Sequence, residues 1–573
     1  MNRRPLLSAS FLLVAFSTPG FSQDVIHTYS VPGWTGTFSV DVCSLGDLDG
    51  DGLAEVAISQ VPIFGVASQA KVGVLHGGDG TLMQEYSEPA AADWFGFSLT
   101  KLADLNNDGT AELLIGAPGD PASSSAPTYA EVRTGSGGLH FTLSGPAGSS
   151  FGAASAALDD VNGDGVPDFA IGAPRDSSAG NNAGMIYIFS GQSGLQLFTI
   201  TNSLATELLG QSLAAMPDQN GDGIGELLVG APGTNKAFIY SGSNGTLLRT
   251  FAGPTGSRAF GYSVDVIGDL DGDAFADVII GDPLIDGNSG SSEGVARVYS
   301  NSSSSVIYQH FGGFAGDHMG HRVTGVSDLN GDGFEDYLVG APLLTSGSFN
   351  PAGFVQAHSG ADGSVLFSVW GTPGVSACGF AMDTIGDFDG DGLVDLVIAS
   401  PSANVALVVR AGEYIGTRFC FGAAGAMNCP CGNPNDGSVA GGEAGCANGT
   451  NSGGGTLSAV GSTSVTSANL SLVASGLVPS STGLFFQGTQ QVNGGLGQVF
   501  GDGLRCVSGP VKRLQIVASS ATGTSATTVD IAVAGVVNAG ETRDYQLWYR
   551  DAAGTLCGSG FNLTNGLELT WTP

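Results

Sequence analysis

Basic residues, histidines and long apolar runs are all scarce in this sequence. Its 573 residues include 18 Lys plus Arg and 7 His against 52 Asp plus Glu, for a formal net charge of −34. So acidic a chain repels phosphate backbones, which argues against nucleic acid as a partner. Beyond the N-terminal residues no segment is apolar for long enough to cross a bilayer, so we expect no transmembrane span.

Cysteine is also rare, and most of it lies near the end of the chain. Of the 8 Cys, those of the tail are Cys420, Cys429, Cys431, Cys446, Cys506 and Cys557. In an exported chain this even number predicts up to three disulfides, with a pairing that the sequence leaves open. A zinc knuckle is the alternative, but the tail has no histidine and its spacing matches no common zinc pattern.

Patterns typical of catalysis are lacking as well. Gly148-Ser149-Ser150-Phe151-Gly152 has the spacing of a nucleophile elbow, without the strand, turn and helix that this chemistry requires. His318 and His321 are three residues apart in a β context, which is more typical of loop residues than of metal ligands. We therefore expect that the protein is not an enzyme.

One nine-residue segment, in contrast, occurs seven times. Its second copy is Asp104-Leu105-Asn106-Asn107-Asp108-Gly109-Thr110-Ala111-Glu112. Successive copies, loops 1 to 7, begin 51 to 59 residues apart at Asp47, Asp104, Asp160, Asp218, Asp269, Asp328 and Asp387. Self-similarity at so regular a period indicates one structural unit repeated seven times.

The segment has the composition of an oxygen cage for a hard cation. Positions 1 and 5 are Asp in every copy, position 3 is Asp or Asn, and position 9 is Glu or Asp. A Gly at position 6 permits a tight turn and leaves the position 7 carbonyl free to bind, as in the EF-hand loop, whose last carboxylate comes later. Oxygen ligands without Cys or His favour Ca²⁺ over zinc or copper. A lone copy would fit a solvated acidic turn equally well, whereas seven copies in register favour cation sites.

We therefore expect up to seven Ca²⁺, one per repeat. The predicted ligands are positions 1, 3, 5, 7 and 9 of each loop: Asp47, Asp49, Asp51, Leu53, Glu55, Asp104, Asn106, Asp108, Thr110, Glu112, Asp160, Asn162, Asp164, Val166, Asp168, Asp218, Asn220, Asp222, Ile224, Glu226, Asp269, Asp271, Asp273, Phe275, Asp277, Asp328, Asn330, Asp332, Phe334, Asp336, Asp387, Asp389, Asp391, Leu393 and Asp395. Loops 1, 5 and 7 carry four carboxylates, and the others have Asn at position 3. Loop 5 is expected to be weak or distorted because Ala274 replaces the turn Gly, and a left-handed residue with a Cβ costs about 1–2 kcal/mol.

The flanks of each loop repeat too. Nine residues before the first Asp stands Phe38, Phe95, Phe151, Leu209, Phe260, Met319 or Cys378. A Gly follows this residue in all copies but the first. After each loop come short apolar runs such as Leu113-Leu114-Ile115-Gly116-Ala117-Pro118, which predict buried strands.

These residues resemble the FG-GAP repeat of the integrin alpha-subunit propeller, most clearly at Phe95-Gly96 with Gly116-Ala117-Pro118 and at Phe151-Gly152 with Gly172-Ala173-Pro174. The resemblance covers residues 24–413. It implies an all-β fold, a seven-bladed β-propeller of four-stranded blades with Ca²⁺ on one face. Repeat 1 lacks the Pro, repeat 5 reads Gly281-Asp282-Pro283, and repeat 7 has Cys378 in the Phe position.

Composition divides the chain into three parts. Residues 1–22, with Arg3 and Arg4 before an apolar stretch, resemble a secretory signal peptide, which predicts a secreted protein, extracellular or at the cell surface. Residues 23–413 form the propeller, and residues 25–30 should close the ring as the outer strand of blade 7. Residues 414–573 predict a small disulfide-stapled, β-sandwich-like domain with strands at 514–517, 529–533 and 545–549.

Cys43 and Cys378 fall in repeats 1 and 7, which a closed ring makes neighbours. A disulfide between them would lock the ring. Cys378 could equally serve as a small buried residue in the Phe position. The sequence leaves both interpretations open.

The resemblance implies a secreted calcium-binding propeller that acts as an adhesion or ligand-recognition module, with Ca²⁺ clamping each blade and an extracellular protein or glycan as ligand. A first alternative is a lectin-like propeller, with Trp34, Trp94 and Trp370 as candidate sugar contacts. The second is the scaffold of a secreted hydrolase. No Arg-Gly-Asp sequence occurs.

Overall fold

The structure is a computed structural model of an all-β chain. It describes residues 25–31, 34, 37–61, 69–87, 93–120, 125, 127–286, 291–313, 315–330, 332–342, 353–371, 377–388, 394–401, 404–410, 417–421, 429–430, 444–450, 454–460, 463, 465, 470–520, 523–551 and 559–572. The predicted signal peptide therefore lies outside the described residues. Among the residues that the structure describes, no helix has the length and apolarity needed to cross a membrane.

Seven antiparallel sheets of four strands follow one another along the chain, and we call them blades 1 to 7. Blade 1 comprises β2 Thr37–Gly46, β3 Glu55–Val61, β4 Lys71–Leu75 and β5 Leu82–Ser87. Blade 2 comprises β6 Ser98–Lys101, β7 Leu113–Ala117, β8 Tyr129–Arg133 and β9 Leu139–Ser144. Blade 3 comprises β10 Ala154–Ala157, β11 Phe169–Ala173, β12 Met185–Phe189 and β13 Gln196–Ile200.

The remaining blades repeat this plan. Blade 4 comprises β14 Ser212–Met216, β15 Glu226–Ala231, β16 Lys236–Ser241 and β17 Leu247–Ala252, with a 3-10 turn at Pro232–Thr234. Blade 5 comprises β18 Ser263–Ile267, β19 Asp277–Asp282, β20 Val295–Tyr299 and β21 Val306–Phe311. Blade 6 comprises β22 Arg322–Val326, β23 Asp336–Ala341, β24 Phe354–His358 and β25 Val365–Trp370. Blade 7 comprises β26 Met382–Gly386, β27 Asp395–Ser400, β28 Val405–Arg410 and, from the start of the chain, β1 Val25–Tyr29.

Strand β1 closes the ring, as the sequence predicts. It pairs antiparallel with β28, with Thr28 opposite Leu407 and Tyr29 opposite Ala406. The first strand of each blade contacts the first strands of both neighbouring blades, and β2 contacts β26 in the same way. The seven sheets therefore form a closed β-propeller whose innermost strands surround a central axis.

The Phe-Gly and Gly-Ala-Pro patterns meet where neighbouring blades touch. A Cβ built on Gly116 would lie 2.0 Å from the carbonyl oxygen of Gly152 in the next blade, and one on Gly230 would lie 2.0 Å from that of Gly261. Only Gly allows so close a backbone contact. In blades 2 to 7 the residue before the Gly of the Phe-Gly pattern is fully buried, which identifies the Phe position as an anchor between blades: Phe95, Phe151, Leu209, Phe260, Met319 and Cys378.

Aspartates on three innermost strands link neighbouring blades around the ring. Each accepts a backbone N–H from the next blade at 2.9 to 3.0 Å, Leu99 donating to Asp41, Gly325 to Asp265 and Ser44 to Asp383. With Arg322 they line a central cavity of about 730 Å³. Burial raises the pKa of Asp265 and of Asp383 to about 6.

The tail forms its own sheets. Its strands are β29 Thr417–Phe419, β30 Thr456–Val460, β31 Ser471–Ser475, β32 Thr482–Gly488, β33 Gln490–Gln491, β34 Gln498–Phe500, β35 Gly503–Arg505, β36 Val507–Ser508, β37 Lys512–Ala518, β38 Ser525–Ala526, β39 Thr542–Arg550, β40 Phe561–Leu563 and β41 Gly566–Thr570. A 3-10 turn spans Val492–Gly495. The larger sheet has the order β29, β41, β39, β32, β37, with β40 paired to β39, and the smaller one has the order β30, β31, β38. Two further pairs are β33 with β36 and β34 with β35.

Two disulfides join the tail, Cys420 to Cys506 and Cys429 to Cys446. The zinc knuckle is therefore wrong for these four cysteines, because a disulfide sulfur is no thiolate ligand. Cys431 and Cys557 lie outside the described residues. Their pairing remains a prediction.

The expected strand at residues 529–533 is wrong. Ile531–Gly535 forms a short helix, α1. The Asp530 carboxylate accepts the backbone N–H of Val533 at 3.1 Å and so caps the first turn. Local capping thus overrides the β propensity of the valines.

Cys43 and Cys378 are both buried free thiols, so no disulfide locks the ring. Cys378 packs in the core between blades 6 and 7, where burial raises the pKa of its thiol to about 12. It therefore serves as a small apolar residue in the Phe position.

Candidate metal centre

Each loop joins the first strand of its blade to the second, and in loops 1 to 6 its own aspartates fix its shape. The position 1 carboxylate of these six loops accepts the backbone N–H of position 6, for example at 2.8 Å between Asp104 and Gly109 and at 2.7 Å between Asp160 and Gly165. The position 5 carboxylate accepts the N–H of position 7 in loops 1 to 6. These bonds curl the segment so that alternate side chains converge.

The position 9 carboxylate is buried where the loop meets the second strand of its blade. One of its oxygens accepts the N–H of position 2 in every loop, at 2.5 to 3.0 Å. Burial, reinforced by the neighbouring loop acids, raises the pKa of Glu112 and of Asp336 to about 7 and that of Asp277 to about 6. A cation bound beside these groups would favour their ionised form.

In blades 1 to 6 a second turn of the same blade lies against the loop, and we call it the outer turn because it joins the third strand to the fourth. Ser190 Oγ donates to Asp164 at 3.1 Å, and Ser359 Oγ donates to Asp332 at 2.9 Å. The Gly191 N–H donates to the buried carboxylate of Asp168 at 3.0 Å. Sequence reasoning missed this contact, although the repeated Ser-Gly turns could have revealed it.

The loops bring the predicted ligands together to different degrees. Ligand oxygens lie within 4.8 Å of one another in three groups that include position 9, namely Asp47, Asp49 and Glu55, then Asp104, Asp108 and Glu112, then Asp160, Asp164 and Asp168. In loop 5 the group is Asp269, Asp271 and Asp273, without Asp277. The described acids of loops 4 and 6 form no such group, and Asp389, Asp391 and Leu393 of loop 7 lie outside the described residues.

The donor set fits a hard divalent cation. All side chains in the groups of loops 2, 3 and 5 offer oxygen, as Ca²⁺ prefers. Buried oxygens in loops 2, 4 and 5, namely Asn106 Oδ1, Glu226 Oε1 and Asp273 Oδ2, have no hydrogen-bond donor. A buried acceptor without a donor is costly, and a cation in each loop would satisfy them.

Ala274 in loop 5 keeps the turn that Gly makes elsewhere. Its φ is 72°, and its N–H donates to Asp269 at 2.7 Å like the equivalent Gly residues. The expected distortion is therefore backbone strain at one residue rather than loss of the turn. Asp277 does not belong to the acidic group of this loop, whereas position 9 belongs to the groups of loops 1 to 3.

We expect opposite effects from exchanging the turn residue in two loops. Ala274→Gly relieves the left-handed strain and raises the free energy of unfolding by about 1 kcal/mol, whereas Gly109→Ala lowers it by about the same amount. Gly109 has a φ of 92° and nothing within 4 Å of a built Cβ, so its cost is conformational only. Thermal melting in chelator measures both without a contribution from cation binding. Shifts of the same sign would contradict the strain argument.

Comparison with known proteins agrees with this geometry. Residues 95–137 and 151–189 match the family described as FG-GAP repeat. The chain carries FG-GAP repeats. It is 34% identical to human integrin alpha-7 over 145 residues, which is 22% of this chain and 12% of that protein. It is 28% identical to chicken integrin alpha-V over 230 residues, which is 36% of this chain and 21% of that protein. It is 30% identical to Drosophila melanogaster integrin alpha-PS2 over 228 residues, which is 34% of this chain and 15% of that protein. The matched part of the chain thus spans at most about a fifth of the length of these relatives.

The other candidates of the sequence lie elsewhere in the FG-GAP propeller. Ser149 lies in the turn before blade 3, where it is buried and its Oγ is 3.3 Å from the hydroxyl of Thr128. His321 lines the central cavity, where its ring lies 5.1 Å from that of Tyr262 and 4.7 Å from that of Phe380. These contacts explain both residues by packing.

Proposed function

We propose that this chain is a secreted, calcium-clamped propeller that acts as an adhesion or ligand-recognition module, without enzymatic activity. Its ligand would be an extracellular protein or glycan. One Ca²⁺ would be held by positions 1, 3, 5, 7 and 9 of each loop. The convergence of three carboxylates in loops 1 to 3 is the observation that carries the calcium part of the proposal.

Calcium has a mechanical role in this proposal. In blades 1 to 6 the loop lies between the innermost and second strands and under the outer turn of its own blade, so a cation there ties three parts of the blade together. The position 9 carboxylate connects the cation to the buried core, because in loops 1, 3, 5 and 6 it accepts a backbone N–H of the loop and one of the outer turn. Ligand recognition would then rest on a rigid ring.

The ligand would bind at the face opposite the loops. The connection from second to third strand of blade 3, residues 174–184, lies there and is longer than the outer turn of that blade. Binding residues concentrate on such loops when a rigid scaffold carries them. The resemblance of residues 1–22 to a signal peptide and the two disulfides of the tail support the secretion part of the proposal.

We expect ligand binding to require Ca²⁺. The mature protein would be tested against a panel of extracellular proteins and surface glycans, in millimolar Ca²⁺ and again in chelator, with thermal unfolding followed in parallel. Binding to one class only in Ca²⁺, together with a raised melting temperature, would support the proposal. Binding and melting that are both indifferent to Ca²⁺ would contradict it.

A lectin-like function is the second candidate, and one tryptophan favours it. Trp370 ends the outer strand of blade 6 with 45% of its surface exposed, and its ring lies 4.8 Å from that of Phe354. The indole N–H of Trp34 instead donates to the Glu85 carboxylate, and the Trp94 ring stacks on Phe97, so both tryptophans make contacts within the protein. Glycan binding that Trp370→Ala abolishes would favour this candidate.

A further inference from the structure

The outer turns begin at one equivalent residue in blades 1, 3, 4, 5 and 6, and that residue differs in blade 1. The backbone N–H of this residue donates to the carbonyl five residues later, and its own carbonyl accepts the N–H four residues later. The equivalent residues are His76, Ser190, Ser241, Ser300 and Ser359. Blades 3, 4 and 6 direct the serine hydroxyl at the position 5 aspartate of their loop, at 2.9 to 3.5 Å. Blade 1 places an imidazole where the other blades have a hydroxyl.

The imidazole of His76 lies against the carboxylates of loop 1. Its Nδ1 is 2.9 Å from Asp49 Oδ2, and ligand atoms of His76, Asp49 and Asp51 all lie within 4.8 Å of one another. The side chain of His76 is 35% exposed and that of Asp49 27%, so the group is open to ions from solvent. Asp49 also belongs to the group with Asp47 and Glu55, so loop 1 contains two overlapping groups that share one carboxylate.

A nitrogen ligand changes the preferred metal. Ca²⁺ takes oxygen ligands, whereas a set of imidazole and carboxylates suits zinc and other first-row divalent ions. We propose that Asp49, Asp51 and His76 form a site for a divalent transition-metal ion, such as Zn²⁺, that no other described outer turn can form. The proposal goes beyond the calcium-clamped module and rests on it only in that Asp49 and Asp51 are also the position 3 and position 5 ligands proposed for Ca²⁺ in loop 1.

The opposing interpretation is that His76 merely replaces serine as a hydrogen-bonding partner of the loop. In that case its Nδ1–H donates to Asp49 and a serine would serve as well. The two interpretations differ in one measurable property, since only a ligand makes Zn²⁺ affinity depend on the imidazole.

The test is calorimetric titration of the full mature protein, loaded with Ca²⁺, with Zn²⁺ as the probe. We expect one tight Zn²⁺ equivalent in the native protein, and at least about tenfold weaker binding in His76→Ser, which restores the residue of the other blades. His140→Ser is the matched control, because His140 lies near Asp108 of loop 2 but belongs to no metal-ligating group. Unchanged Zn²⁺ binding in His76→Ser, or equal loss in His140→Ser, would overturn the proposal.

A gain of binding provides a second check. Ser300→His places an imidazole at the equivalent turn position of blade 5, whose loop has Asp271 and Asp273 at the positions of Asp49 and Asp51, and we expect a second Zn²⁺ equivalent. A variant that folds, as its melting in Ca²⁺ would show, and binds no second ion would contradict the ligand geometry. Ca²⁺ titration of the same samples separates the two proposals, since lost Zn²⁺ binding with intact Ca²⁺ binding contradicts only the transition-metal site.

Discussion

Removal of Ca²⁺ from the mature protein is expected to lower its thermal stability more than any single substitution. An ion that binds only the folded state stabilises it by about 2.7 kcal/mol when its concentration is a hundred times its Kd, and each occupied loop adds such a contribution. Without the ion, the clustered carboxylates of loops 1 to 3 repel one another. Melting curves across a Ca²⁺ titration, with Mg²⁺ as a control for ionic strength, measure the effect.

A single loop can be examined with a variant of matched charge. In Asp164→Asn the side chain keeps an oxygen for the N–H of Val166 but loses its charge. We expect a lower melting temperature than the native protein in Ca²⁺ and little difference in chelator. Asp286→Asn removes the same charge from an exposed pair with Arg258, outside every loop, and should have little effect in either condition.

The outcome that would contradict this prediction is equally specific. If Asp164→Asn and Asp286→Asn behave alike in Ca²⁺, the charge of loop 3 is not used for cation binding. If the native protein melts at one temperature in Ca²⁺ and in chelator, the loops are solvated acidic turns. The position 9 carboxylates would then be explained by their backbone hydrogen bonds alone.

Most of the fold could be predicted from the repeated residues of the sequence. Phe-Gly and Gly-Ala-Pro recur because a glycine in each packs against backbone of the next blade, as Gly116 does on Gly152. Strand β1 could be predicted as well, because residues 25–30 alternate like an outer strand and precede the first complete unit. Such regularities are visible because every blade must satisfy the same packing.

Features that occur once were harder to predict. The helix α1 depends on a single cap at Asp530, which competes with a run of β-branched residues of opposite preference. In the metal centre the loop residues themselves stood out, whereas the outer-turn residue that contacts them lies 19 to 27 residues further along the chain, as between Asp222 and Ser241 or between Asp332 and Ser359. Contacts between segments so far apart follow from strand order, and strand order was known only from the resemblance.

Tyr29 is expected to be the residue on which ring closure depends most. Its side chain is fully buried in the core between blades 7 and 1, and its hydroxyl donates to the Gly77 carbonyl of blade 1 at 3.0 Å. Tyr29→Ala should lower the free energy of unfolding by about 3–5 kcal/mol, because it removes a buried aromatic ring and leaves a cavity. Tyr29→Phe loses only the hydrogen bond and should cost about 1 kcal/mol.

Thr28 provides the matched control for this prediction. It is the neighbouring residue of β1, is exposed, and pairs with Leu407 through the same backbone ladder. Thr28→Ala should therefore change stability by less than about 0.5 kcal/mol. Unfolding in denaturant and limited proteolysis compare the three variants in millimolar Ca²⁺. If Tyr29→Ala is no less stable than Thr28→Ala, the pairing of β1 with β28 does not hold the ring closed, and closure rests on the contact between β2 and β26 instead.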